Sequence, residues 1–144
     1  MPRSAVGSAV FILLLGVLTA CPRRSAIWLV GQEEPGRPVF GVGETLHGRP
    51  TWLGDLIVAP CQGWDGTARN AVWFLAQDGE SRVLSRVVYG RVPPGYVATR
   101  YMSEERSTAV SPPLKAGCYI ASISGTGRVR FSISADGSAL ELGE

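Results

Sequence analysis

The stretch that decides the fold is residues 117–134, which read GCYIASISGTGRVRFSIS. In its second half Val129, Phe131 and Ile133 alternate with arginine and serine, the two-residue period of a strand that is buried on one face. The first half alternates in the same way, and the Gly-Thr-Gly between the halves supplies residues that accept positive φ in a tight turn. The stretch therefore predicts an antiparallel β-hairpin.

The rest of the chain after residue 25 repeats this pattern of short strands. Runs rich in β-branched and aromatic residues, none as long as a typical helix, are separated by glycine and proline. The runs are residues 26–30, 38–42, 51–59, 70–76, 82–92, 96–102, 117–124, 128–134 and 138–142. About nine short strands in about 120 residues predict an all-β fold, a small antiparallel β-sandwich, with a small β-barrel as the alternative.

The connections between these runs carry their own signals. Turns are predicted at Asp78-Gly79, at residues 93–95 and at residues 135–137, where glycine follows proline or aspartate. Residues 31–38 contain two prolines and two glycines, so we expect a loop there rather than a helix or a central strand. With such short connections, the strands are expected to pair in chain order as an antiparallel meander.

The first twenty residues predict an export signal. Arg3 and the amino terminus give a short positive start, and residues 5–20 then run without a charge. This apolar run is about sixteen residues, short of the roughly twenty that a membrane-spanning helix needs. It ends in Leu18-Thr19-Ala20-Cys21, which resembles the lipobox of bacterial lipoproteins: an aliphatic residue, two small residues and then cysteine.

The lipobox resemblance implies a compartment and a chain organisation. It implies cleavage between Ala20 and Cys21, a thioether from Cys21 to diacylglycerol, and often a further acyl chain such as palmitate on the new amino terminus. Residues 1–20 are then a signal peptide, 21–25 a lipidated tether and 26–144 the β-sandwich domain. Two or three chains, at about 0.8 kcal/mol per buried CH₂ group, hold a protein stably in a membrane.

The same resemblance implies a location in the cell envelope. The protein is expected on the outer face of the cytoplasmic membrane or in the outer membrane, and Pro22, in place of the aspartate that often marks inner-membrane retention, favours the outer one. Two alternatives stay open: a secretory signal cleaved near Ala20 without lipid, and a permanent membrane span.

The two remaining cysteines predict a disulfide. With Cys21 assigned to lipid, Cys61 and Cys118 form an even pair in an oxidising compartment, where two thiols are more often a disulfide than a metal site or a nucleophile. A bridge that closes a loop of this length stabilises a fold by roughly 4 kcal/mol on the chain-entropy model. No metal is expected, because His47 is the one histidine and no Cys-x-x-Cys spacing occurs.

Two features resemble known β-sandwich families. The order of Cys61, Trp73 and Cys118 is similar to immunoglobulin-type domains, which implies a disulfide between the two sheets with the tryptophan packed on it. Tyr119 departs from that family, whose tyrosine precedes the second cysteine by two residues. Residues 114–119 also resemble the corner before a late strand of fibronectin-like sandwiches, which implies that the tyrosine hydroxyl bonds back to the corner backbone.

The sequence contains no convergent catalytic motif. A Gly-x-Ser-x-Gly elbow and a phosphate-binding glycine motif are both absent, and His47 lies in a stretch of loop composition, so we expect it to be exposed. The carboxylates lie mostly beside glycine or in polar stretches and are interpreted as turn formers and solvated charges. A glycosidase-like carboxylate pair formed in three dimensions stays open as an alternative. No enzyme activity and no cofactor are therefore predicted.

Four tryptophans are the side chains that suggest binding: Trp28, Trp52, Trp64 and Trp73. Trp73 sits in an apolar run and is expected in the core. Trp64 lies among glycines and polar residues, so we expect either a ligand contact that stacks on a sugar or anchors a partner, or a ring that covers the disulfide edge.

The predicted function is a non-enzymatic one in the envelope. We expect a lipid-tethered β-domain that holds or recognises an envelope protein or a cell-wall polymer. A carbohydrate-binding or peptidoglycan-associated module is the alternative, and a carboxylate-dependent hydrolase is a third. A formal net charge of +2 without a basic run makes nucleic acid an unexpected partner.

Overall fold

The computed structural model of the chain describes residues 25–79, 82–100, 102–123 and 127–143, and at Trp52 the backbone alone. The predicted signal peptide, its predicted cleavage site at Ala20 and the predicted lipidation site Cys21 lie outside the described residues. Within the described ranges, no helix has the length and apolar character needed to cross a membrane.

The described chain forms twelve β-strands in two main sheets and one small one. The strands are β1 (Ala26–Glu34), β2 (Arg37–Gly43), β3 (Thr51–Trp52), β4 (Leu56–Pro60), β5 (Trp73–Gln77), β6 (Val83–Leu84), β7 (Arg86–Val88), β8 (Tyr96–Thr99), β9 (Arg106–Ser107), β10 (Gly117–Ile123), β11 (Gly127–Ile133) and β12 (Ala139–Leu142). The sheet orders are β1-β2-β7, β12-β11-β10-β4-β5-β8-β9 and β3-β6, with antiparallel pairing throughout. Neither main sheet closes on itself, so the predicted β-sandwich is confirmed and the barrel alternative is not.

The core lies between the two main sheets and follows the alternation that the sequence predicts. In β11, Val129, Phe131 and Ile133 are buried and the residues between them face outward. The ring of Phe131 packs edge to face against the ring of Phe40, which lies in the smaller sheet, with 5.4 Å between the ring centroids. Both rings are fully buried, and the burial of one such side chain contributes about 2 to 3 kcal/mol.

The hairpin predicted from residues 117–134 is confirmed. β10 and β11 pair without a break from Gly117 opposite Ile133 to Ile123 opposite Gly127. The predicted turn at residues 135–137 is also present, because the amide of Gly137 donates to Ser134 O at 2.9 Å and Gly137 has a positive φ. Both predictions rest on local signals, the alternation of apolar residues and the position of glycine, and the structure agrees with both.

Two of the predicted runs divide into shorter strands. Residues 51–59 form β3 and β4, and residues 82–92 form β6 and β7, because each run serves two different sheets. The edge strand β9 was not predicted, since its two residues, Arg106 and Ser107, are both exposed and carry no apolar alternation.

The prediction of a loop over residues 31–38 is wrong. β1 continues to Glu34 and β2 begins at Arg37, so the connection is a tight turn at Pro35 and Gly36, where Gly36 has φ +74°. β1 also contains two register irregularities, between Leu29 and Gly31 and between Gln32 and Glu34. Pro38 lies beside the end of β7, where its carbonyl accepts from the amide of Tyr89 at 3.0 Å. Because proline has no amide hydrogen to donate, one hydrogen bond is missing at this end of the ladder between β2 and β7.

The meander prediction holds only in part. β10 pairs with β11 on one side but with β4 on the other, although more than fifty residues separate β4 from β10. The reason is the continuous apolar run of β4, which is buried on both of its faces and therefore takes a central position in the sheet. Strand order was decided by burial rather than by distance along the chain.

Strand register defines two ends of the sandwich. At the first, which we call the Ser25 end, Ala26 pairs with Gly43 and the carbonyl of Ser25 lies so close to Gly127 that a Cβ there would be 2.7 Å away. At the second, which we call the Cys61 end, the amide of Gly36 donates to Gly137 O at 2.9 Å and joins the turns of both sheets. The chain enters the domain at the Ser25 end.

Candidate functional site

A cavity of about 480 Å³ opens at the Cys61 end, within the size range of small-ligand sites. We call it the aromatic cavity. Its lining comes from β5, β8, β9, the start of β10 and the loops after β7, β8 and β9. It lies at this end because Trp73 begins β5, Thr99 ends β8 and the loop after β9 reaches the turn at Gly36.

Three aromatic side chains form the floor of this cavity. Trp73 and Tyr89 are each 4% exposed and meet edge to face at 5.2 Å, and Tyr119 is 8% exposed. The indole Nε1 of Trp73 is buried without a hydrogen-bond acceptor among the described residues, so the floor retains an unused donor. Burial, helped by the nearby Tyr119, raises the pKa of Tyr89 to about 12, so its hydroxyl stays neutral well above the pH at which a free tyrosine ionises.

The roof is the Ser-Pro-Pro-Leu segment of residues 111–114. The amide of Ser111 donates to Gly90 O and the amide of Leu114 to Gly36 O, both at 2.8 Å. The two prolines between them need no acceptor and restrict the backbone. The roof is therefore pinned at both of its ends to loops of the smaller sheet.

A hydrogen bond from Tyr119 holds the backbone at Lys115, which also lines the cavity. The hydroxyl of Tyr119 donates to Lys115 O at 2.9 Å, four residues back along the chain. This is the back-bond that the resemblance of residues 114–119 to a fibronectin-like corner implies, and the structure confirms it.

Polar groups surround the mouth of the cavity. Arg100, Glu105 and Lys115 are exposed there, and Thr99 and Ser107 add hydroxyl groups. Thr99 Oγ1 donates to Glu105 O at 2.7 Å, which holds the loop between β8 and β9 against the rim. An aromatic floor with a polar rim suits a ligand that has one apolar part and several polar substituents.

The predicted disulfide between Cys61 and Cys118 is confirmed, with 5.4 Å between the Cα atoms. The arrangement implied by the immunoglobulin resemblance is wrong, however. Cys118 lies in β10 and Cys61 directly after β4, so the bridge joins neighbouring strands of one sheet. Tyr119 points into the core, which turns Cys118 to the outer face, whereas Trp73 packs on Tyr89 inside the sandwich.

Trp64 packs on the outer face of the seven-stranded sheet. Its half-buried ring adjoins a small apolar cluster of Ile57, Ala59 and Ala68, and its amide donates to Cys61 O at 3.4 Å. This placement beside the disulfide agrees with the covering role considered for Trp64. The residue does not line the aromatic cavity, and its contact with a ligand stays a prediction.

The other tryptophans have different surroundings. Trp73 is in the core, as predicted. Trp28 is half-buried and lies across Gly41, where a Cβ would be 2.1 Å from the indole, and its ring centroid is 4.9 Å from that of His47. His47 is exposed on the loop after β2, as expected. The indole of Trp52 lies outside the description.

Several of the described carboxylates serve turns and ion pairs. The hydroxyl and amide of Thr67 donate to Asp65, and their hydrogen bonds lower the pKa of that carboxyl. Asp136 similarly accepts from Ser134, and its pKa falls to about 2. Glu105 is the one carboxylate among the described residues that line the aromatic cavity, so this described lining brings no glycosidase-like pair together. The described part of the chain also contains no group of three potential metal ligands.

Sequence reasoning missed the residues that form this cavity. Tyr89, Arg100, Glu105 and the roof come from separate loops, and no spacing in the sequence links them. The proline pair at 112–113 is the one local signal, because it restricts the backbone of the segment that covers the cavity. No family model, no curated protein and no solved structure matches this chain.

Proposed function

We propose that this protein is a lipid-anchored envelope lipoprotein whose β-sandwich binds an envelope component in the aromatic cavity. The lipobox-like Leu18-Thr19-Ala20-Cys21 supports the anchor. The observation that carries the binding role is the position of the cavity, at the end of the sandwich opposite the point where the tether joins.

The length of the strands sets the scale of this arrangement. β1 has nine residues and runs from the Ser25 end to the Cys61 end. At about 3.3 Å per residue, it spans about 30 Å. A domain held at Ser25 by lipid on Cys21 therefore places the cavity about 30 Å from its point of attachment, facing other components of the envelope.

The chemistry of the cavity favours binding over catalysis. Its buried rings offer an apolar surface, the hydroxyls and charges at its rim offer hydrogen bonds, and Glu105 has no second carboxylate beside it among the described lining residues. Such a lining suits a peptide segment of an envelope protein that inserts an apolar side chain and places its backbone on the rim.

Site-specific photo-crosslinking in intact cells tests this proposal. Val72 lines the cavity and is 47% exposed, so a photoreactive phenylalanine analogue there leaves the core intact. The matched control is Leu46, which is 61% exposed at the Ser25 end. We expect a discrete crosslinked partner from position 72 and none from position 46. Equal crosslinking from both positions, or none from position 72, would contradict the proposal.

The anchor is tested separately by replacing Cys21 with Ala and fractionating the cells. We expect the wild-type protein in the membrane pellet and the variant in the soluble fraction or unprocessed. A variant that is cleaved and still pellets with the membrane would show that lipid on Cys21 is not the anchor.

A carbohydrate or peptidoglycan ligand is the second candidate. It is favoured by the half-buried ring of Trp64 at the same end of the domain as the hydroxyl-bearing rim. Cell-wall fragments should then change the tryptophan fluorescence, and the change should be lost in Trp64→Phe. Unchanged fluorescence across fragments would reject this candidate.

A further inference from the structure

We propose that a second groove, on the outer face of the seven-stranded sheet, binds the phosphate of an anionic phospholipid in the membrane that holds the tether. We call it the arginine groove, and its volume is about 490 Å³. Arg128 and Arg130 line it together with the apolar side chains of Ile120 and Leu142. The inference rests on the proposed lipid anchor.

Arg128 and Arg130 occupy alternate positions of β11, so both lie on the outer face of the sheet, where no ion pair neutralises their charge among the described residues. Both are exposed, and they alternate with buried residues in β11. The outward positions of β10, β11 and β12 contain no carboxylate. They are Cys118, Ile120, Ser122, Arg128, Arg130, Ser132, Leu140 and Leu142.

One carboxylate does line the groove, and it is already engaged. Glu141 lies opposite Phe131 in the register, and its Oε2 accepts the backbone amide of Leu29 at 3.0 Å. This hydrogen bond directs the carboxylate toward β1 and away from the arginines. The groove therefore keeps a net positive charge above an apolar floor, which complements a phosphate joined to a glycerol and acyl chains.

The position of the groove selects a membrane lipid as the occupant. Arg128 follows Gly127, which lies against the carbonyl of Ser25, so one end of the groove is at the point where the chain enters the domain. Cys21 is four residues before Ser25, and four residues reach at most about 14 Å. An anchored Cys21 thus holds Arg128 within reach of the lipid headgroups.

Vesicle co-sedimentation tests the groove without the anchor. The sample is the protein without its signal peptide and Cys21, residues 22–144, which contain every described strand and core residue. Circular dichroism first verifies that this sample is folded. Vesicles of phosphatidylcholine alone are compared with vesicles that also contain phosphatidylglycerol. We expect binding to the anionic vesicles only, weakened by salt.

Arginine substitutions locate the binding. Arg128→Ala and Arg130→Ala should each weaken partitioning about 5-fold, and the double variant about 30-fold. The control, Arg69→Ala, removes one charge from an exposed position at the Cys61 end and should change partitioning less than about 2-fold, in contrast to either single variant in the groove.

Three outcomes would overturn the assignment. They are equal binding to neutral vesicles, an unchanged double variant at the groove, and displacement by soluble glycerol phosphate at constant ionic strength, which would show a free phosphate ligand instead. The anchor itself is judged only by the fractionation of Cys21→Ala. Failure of the groove and failure of the anchor are therefore distinguished.

Discussion

Removal of the disulfide should lower the free energy of unfolding by roughly 4 kcal/mol. Cys61 and Cys118 are separated by 57 positions, and closing a loop of that length removes about 14 cal/mol/K of entropy from the unfolded chain on the chain-entropy model. The native state should change little, because the bridge lies on the outer face of the sheet. The amide of Cys61 also donates to Cys118 O at 2.9 Å, and this backbone hydrogen bond does not require the sulfurs.

Urea denaturation of Cys61→Ala with Cys118→Ala, followed by tryptophan fluorescence and far-UV circular dichroism, measures this loss. Wild-type protein in reductant is the matched control and should coincide with the double variant. We also expect a steeper dependence of the unfolding free energy on urea, because the open chain exposes more surface. A loss below about 1 kcal/mol would refute the entropic reasoning. A changed far-UV spectrum in the absence of urea would refute the claim that the bridge leaves the native sheet unaltered.

Three further predictions concern single residues. Gly41→Ala should cost about 1 to 3 kcal/mol, because its Cβ would meet the indole of Trp28 at 2.1 Å, and most of this cost should vanish in a Trp28→Ala background in urea melts. Tyr119→Phe should cost about 1 kcal/mol through the lost bond to Lys115 O, and a thermal melt unchanged from wild type would contradict it. Because the pKa of Tyr89 is raised to about 12 in the folded protein, the stability from its neutral, buried hydroxyl is fully present below about pH 10. This stability is lost as the pH rises toward 12, by about 2 kcal/mol. The free energy of unfolding should therefore fall less over this pH range in Tyr89→Phe than in the wild type.

The local features of this fold were predictable because they depend on neighbours in the chain. The alternation in residues 117–134 gave both strands of the hairpin and the residues that face the core. Glycine after aspartate gave the turn that ends at Gly137. The back-bond of Tyr119 followed from the resemblance of a six-residue corner.

The failed predictions have different causes. The proline and glycine residues predict a loop over residues 31–38, yet β1 and β2 pair with each other up to Glu34 opposite Arg37 and leave only a tight turn at Pro35 and Gly36. The disulfide was expected to join the two sheets, but β4 and β10 became neighbours when the apolar run of β4 took a central position. The first outcome depends on pairing between consecutive strands, and the second depends on segments that are far apart in the chain.

The candidate sites divide in the same way. The sequence by itself determined the lipobox-like motif, the cysteine pair, the strand faces and most of the turns, because each depends on residue types within a few positions. Only the tertiary structure decided that Trp73, Tyr89 and Arg100 share a cavity, and that Gly127, the residue before Arg128, lies against Ser25. The physical reason is that strand order follows from total burial over the whole chain, and that order sets which loops meet at each end of the sandwich.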